Sequence, residues 1–156
     1  MNDMPATKPT PHPTEMDDAL LDVISRALEH HGKEVARLEH VWHGGAGMWF
    51  VEVVPQNDLA APLSVAFDGH DLVTITVGRT WFEVFPVKQV ADLDYIGELA
   101  AAVFEGNLEE TERGGFGRLS LLDGRVIRIG VLHLPIPWKL RRVRRYAPYG
   151  HRQMLS

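Results

Sequence analysis

Eight histidines, four serines and a scatter of turn-borne carboxylates are the side chains here whose chemistry could go beyond packing. A histidine cluster could hold a metal through neutral ring nitrogens. His30 and His31 are adjacent, however, and a helix points neighbours roughly 100° apart, so the pair does not share an ion. Glu39, His40 and His43 lie closer to a usable set, but on a strand His40 and His43 face opposite sides because side chains alternate. There is no HExxH, and the absence of cysteine removes thiolate metal sites, thiol nucleophiles and disulfides. None of Ser25, Ser64, Ser120 and Ser156 sits in a GxSxG elbow. Asp68, Asp71, Asp92 and Asp94 fall near turns, where acids serve as caps or remain solvated. The glycine runs at 44–47 and 114–117 fit neither GxxxxGK[ST] nor GxGxxG between a strand and a helix. No catalytic, cofactor-binding or metal-ligating residue is therefore assigned. A small-molecule or enzymatic domain with an unrecognised site is kept as an alternative.

Two groups of residues could instead carry binding. The tail holds Trp138, Arg141, Arg142, Arg144, Arg145 and Tyr146 in one short basic and aromatic run. Residues 134 to 156 carry six basic side chains and no acid, so the first 133 residues hold −11 of the net −5. The tail could meet nucleic acid, an anionic membrane or an acidic protein partner, or fold back on its own acidic body. The acidic body disfavours nucleic acid, and the apolar face of the tail is short for membrane binding. Read as a helix, the tail places Leu140, Val143 and Tyr146 on one side. Read as a strand, it alternates Arg142, Arg144 and Tyr146 with Arg141, Val143 and Arg145. The second group is aromatic. Trp42, Trp49, Trp81, Phe82 and Phe85 fall on both faces of the expected sheet, with Trp81 and Phe85 opposite Ile75 and Phe82.

These residues need a scaffold, and the stretch from Leu63 to Phe85 supplies its centre. Period-2 alternation predicts three antiparallel strands. A two-residue Gly78-Arg79 loop pairs Val77 with Thr80, Ile75 with Phe82 and Val73 with Val84. A three-residue loop at Gly69-His70-Asp71 sets Phe67 against Val73, Val65 against Ile75 and Leu63 against Val77. Upstream, Thr14 and Asp17 form a capping box for an amphipathic helix over Glu15 to His31, which Gly32 ends. Glu34 to His43 and Met48 to Val54 read as two further strands. A second helix runs from about Asp92 to Glu105. Glu109 to Gly117 reads as an exposed loop, and Arg118 to Leu122 with Arg125 to Leu134 as a hairpin across Asp123-Gly124. The expected fold is α+β: an antiparallel meander of about seven strands with two helices on one face, in the order α-β-β-β-β-β-α-β-β. Residues 1 to 13 form a disordered Pro-rich leader, 14 to 137 a single domain and 138 to 156 a basic tail. With 156 residues, 45% hydrophobic and 24% charged, the chain suits one globular domain. No membrane span or secretory signal is visible, so cytoplasmic residence is the default.

The phrases SVAFDGHDLVTITVGRTWFEVF and YIGELAAAVFEGNLEE, set in the order helix, meander, helix and further strands, resemble two groups of small bacterial proteins. One comprises the α+β immunity proteins that accompany polymorphic toxins, the other the secretion-chaperone-like fold of the YbjN kind. The resemblance spans roughly Met16 to Leu134 and transfers no functional residue; neither pattern requires the basic tail. A well-specified core, surplus aromatics, opposed charge poles and no reaction centre lead to the expectation of a non-catalytic module, immunity-type or chaperone-like, that buries the surface of a protein partner, with no cofactor. Homodimerisation is compatible with it.

Overall fold

The computed structural model describes residues 8–32, 34–112, 116–130 and 142–150. Helix α1 spans Glu15–Glu29 and opens on the expected capping box. The Asp17 N–H donates to Thr14 Oγ1 at 3.2 Å, and the Thr14 N–H to Asp17 Oδ2 at 2.8 Å. Two otherwise orphaned helix donors are thereby satisfied. Leu20, Val23, Ile24 and Leu28 form the buried stripe that the 3.6-residue period requires.

Strands β1 (Ala36–His43), β2 (Met48–Pro55), β3 (Leu63–Phe67), β4 (Val73–Val77) and β5 (Thr80–Val84) follow, pairing in sequence order as one antiparallel sheet. All six register pairs expected for the central meander are present. At the β4–β5 turn Gly78 has φ +58° while Arg79 has no positive φ, as a II′ loop demands. At the β3–β4 turn the Asp68 N–H donates to the Leu72 carbonyl. Asp68 Oδ1 then accepts from the N–H groups of His70, Asp71 and Leu72 at 2.8–3.1 Å. Partial burial pushes the Asp68 carboxyl up, but these backbone donors outweigh it and hold the group below its ordinary value.

Beyond β5 a 3₁₀ turn (Val90–Leu93) leads into α2 (Asp94–Phe104). Both helices pack on one face of the five-stranded sheet. Ile24 from α1 and Ile96, Leu99 and Val103 from α2 line the same space as Val65 and Ile75, and that space has no room for a water. Phe104, wholly buried, sits at the end of this core.

The remaining strands correct the single-sheet expectation. β6 (Leu108–Thr111), β7 (Phe116–Ser120), β8 (Val126–Gly130) and β9 (Val143–Arg145) build a second, four-stranded antiparallel sheet in the order β8-β7-β6-β9. The stretch read as a loop over Glu109 to Gly117 is thus in part strand. Its alternation is masked in the sequence because a glutamate, Glu110, occupies an inward position beside Leu108. The Asp123-Gly124 hairpin is present, with Gly124 at φ +92° closing a three-residue loop between Leu121 and Arg125. The portion of its second strand expected beyond Gly130 lies outside the described residues. Among the described residues no helix is long and apolar enough to cross a membrane.

Candidate protein-binding surfaces

Alternation divides the five-stranded sheet into two faces with different fates. Val51, Val65, Ile75 and Phe82 point to the helices. The opposite face carries the row Glu39, Glu52, Ser64, Thr76 and Trp81, and beside it Val41, Phe50, Ala66, Thr74 and Glu83. Here large apolar groups meet solvent: Trp81 is 50% exposed, Val54 40%, and Phe85, just past β5, 66%. Trp81 therefore stands on the edge strand of an open face, on the side that strand parity implied, and Phe85 is exposed just past the end of that strand. Toward the opposite edge, His43 Nε2 and Glu52 Oε1 are 2.7 Å apart over a shallow depression of about 390 Å³, with Phe50 and Ser64 in its lining. This pair is solvent-facing, and the imidazole stands edge-on to Phe50 at 4.6 Å. Among the described residues no group of three or more acids and histidines could hold a metal.

The basic segment takes a different place from the aromatics. Arg144 and Arg145 lie in β9, the edge strand of the second sheet, opposite Glu110 and Glu109 respectively, and Arg142 lies just before it. The strand reading of the tail is the one realised over Val143–Arg145. Arg145 Nε reaches Glu109 Oε1 at 3.4 Å, and the Glu112 N–H donates to the Arg142 carbonyl at 3.0 Å. Residues 142–150 thus fold back on the acidic body. Trp138 and Arg141 lie outside the described residues.

Tyr146 and Tyr149 anchor this return. The Tyr146 hydroxyl donates to Glu110, a carboxylate only 1% exposed. Glu110 Oε2 also accepts from the Thr80 hydroxyl at 2.8 Å and from the Arg79 N–H at 3.1 Å. The II′ turn of the first sheet, β6 of the second and the C-terminal strap therefore meet at one buried carboxylate. Gly78 is needed for closeness as well as for its φ, since a Cβ there would stand 2.6 Å from the Tyr146 hydroxyl. Farther on, the Tyr149 ring lies 4.7 Å from that of Phe104, and its hydroxyl donates to the Ala61 carbonyl. Glu110 and Tyr149 carried no sequence signal of their own. The only hint was a basic, aromatic segment downstream of a stretch rich in acids.

Burial, followed by the hydrogen bond to Glu110 and its charge, pushes the Tyr146 hydroxyl up to about 12. Tyr149 is raised by burial alone. A raised phenol favours the folded state below its unfolded value of about 10, and that stability is lost as pH climbs through the folded value. We expect unfolding free energy to fall above about pH 10, and Tyr146→Phe to make that decline shallower, with Tyr149 supplying the remainder. Denaturant midpoints across the alkaline range test this; an unchanged slope in the variant would rule Tyr146 out as a contributor. Compared with known proteins, the chain matches no family model, no curated protein and no solved structure.

Proposed function

We propose that this chain is a non-catalytic protein-binding module, immunity-type or chaperone-like in mode, that buries a partner's surface against the open face of the five-stranded sheet. The observation that carries the reading is the exposure of Trp81 and Phe85 at the edge of that face. A tryptophan left half in water costs solubility without adding core, and exposed apolar groups that cluster mark contact sites. Trp side chains also dominate interface energetics once desolvated. The arginine strip supports an acidic or nucleic-acid partner less well, because Glu109 supplies counter-charge to Arg145 from within the fold.

The test is a double variant, Trp81→Ala with Phe85→Ala, beside photo-crosslinking of the parent from positions 83 and 122. Both substitutions are at exposed sites, so stability should stay within about 0.5 kcal/mol of the parent. Partner affinity should fall by tens of fold, the size expected for hot-spot aromatics. Crosslinks to the partner should form from 83, on the open face, and be absent from 122, where Leu122 is also exposed, at 66%. A partner held equally well by the double variant would exclude this face.

A further inference from the structure

Residues 8–13 read Lys-Pro-Thr-Pro-His-Pro. Each proline ring fixes its own φ near about −65° and keeps the residue before it out of the helical region. Lys8, Thr10 and His12 each precede a proline and are biased to extended backbone, while Pro9, Pro11 and Pro13 carry a φ that suits polyproline II. The composition of residues 8–13 therefore favours a polyproline-II segment, and Thr14 is extended at φ −75°, ψ 168° before α1 begins.

This segment is tied to one member of an aromatic cluster. Trp49 donates its indole N–H to the Pro11 carbonyl at 3.2 Å. Trp42, directly opposite Trp49 across β1 and β2, lies 5.9 Å away and tilted by 55°. His40 packs on Trp49 at 4.9 Å and has a buried Nε2 with no hydrogen-bond partner among the described residues. A polyproline-II chain bonds none of its own carbonyls, so each is available to an external donor. Aromatic surfaces bearing such a donor hold proline-rich segments at low entropic cost, because the ligand is already ordered. Trp49, which bonds the leader, and the two rings beside it have those features.

We propose that the Trp42–Trp49 site is a receptor for a proline-rich segment of a partner protein in polyproline-II conformation, with residues 8–13 its resident ligand in cis. The His40 ring nitrogen would serve a backbone group of a ligand seated one residue along from Pro11. Among the described residues the leader is held by one exposed hydrogen bond, so an incoming segment displaces it in an exchange of like for like. The site lies on the helix-bearing face of the sheet, opposite Trp81, and stands independently of the reading above.

The experiment uses the full-length ¹⁵N-labelled protein, with its four tryptophan indole signals assigned by single Trp→Phe variants. The ligand is a capped peptide copying residues 7–14, and the control is the same peptide with alanine for each proline. Indole signals of Trp49 and Trp42 should shift with the proline peptide at roughly millimolar concentration or below, while that of Trp81 stays fixed. A Pro9→Ala, Pro11→Ala protein, with its tethered competitor weakened, should bind the same peptide about tenfold more tightly. Trp49→Phe should lose the interaction. Unmoved Trp42 and Trp49 signals in both proteins, equal shifts with the alanine peptide, or an affinity indifferent to the leader substitutions would each overturn the proposal.

Discussion

Glu110→Ala should lower the unfolding free energy by about 3–5 kcal/mol, the range expected when one partner of a buried charged network is removed. The carboxylate is 1% exposed and receives the Thr80 hydroxyl, the Arg79 N–H and the Tyr146 hydroxyl. Alanine leaves these donors facing an apolar gap. Thr80, at 0% exposed, has no route to water without local opening. Glu110→Gln keeps one acceptor oxygen and should cost about half as much, because its NH₂ end confronts at least one donor. Urea unfolding of the two variants beside the parent provides the measurement. A loss under about 1 kcal/mol for the alanine variant would mean that water already shares the site. The network joins the meander to the second sheet, so its loss should loosen β9 before the first sheet. Hydrogen exchange at Val143–Arg145 would report that order.

The next largest effect is expected at Gly106, which ends α2. Its φ is +78°, and a Cβ there would stand 2.5 Å from the Pro148 nitrogen and 2.7 Å from the Ala147 carbonyl carbon. Both obstacles are backbone, so neither can rotate away. Gly106→Ala adds the left-handed penalty of about 1 kcal/mol to whatever displacement of the strap relieves the clash, for a total of about 3 kcal/mol. The strap is tied at this point by Tyr149 N–H to the Phe104 carbonyl at 2.9 Å and Ala147 N–H to the Leu59 carbonyl at 2.8 Å. Those two amides should lose exchange protection in the variant while α1 and the meander keep theirs. Retained protection at Ala147 and Tyr149 would show that the strap closes without needing the glycine.

How far the sequence is legible depends on whether a contact is local. The register from Leu63 to Val84 could be read in advance because hairpin loops tie each strand to the next, and a slip of one residue would bury Ser64 in place of Val65. The capping box at Thr14 and Asp17 is likewise an affair of three residues. Strand parity puts Trp81 on the face away from Ile75, but the sequence favours a cover of tail and loops over that face, and its exposure is decided by the fold. The second sheet was not legible in the same way. β6 hides its alternation behind Glu110, a residue that reads as solvated until three donors distant in sequence surround it. β9 joins β6 from more than thirty residues away, and neither strand names the other through pattern or turn.

Periodicity, turn chemistry and composition, which act over a few residues, suffice for the α+β class, the two helices, the central meander and its register, and the opposed charges of body and tail. Long-range folding sets the rest: the division into two sheets, the return of residues 142–150 to the acidic body, and the interior places of Glu110 and Tyr149. Burial of a charged or phenolic group is set by the partners that long-range folding brings to it, because desolvation is tolerated only where donors or acceptors replace water.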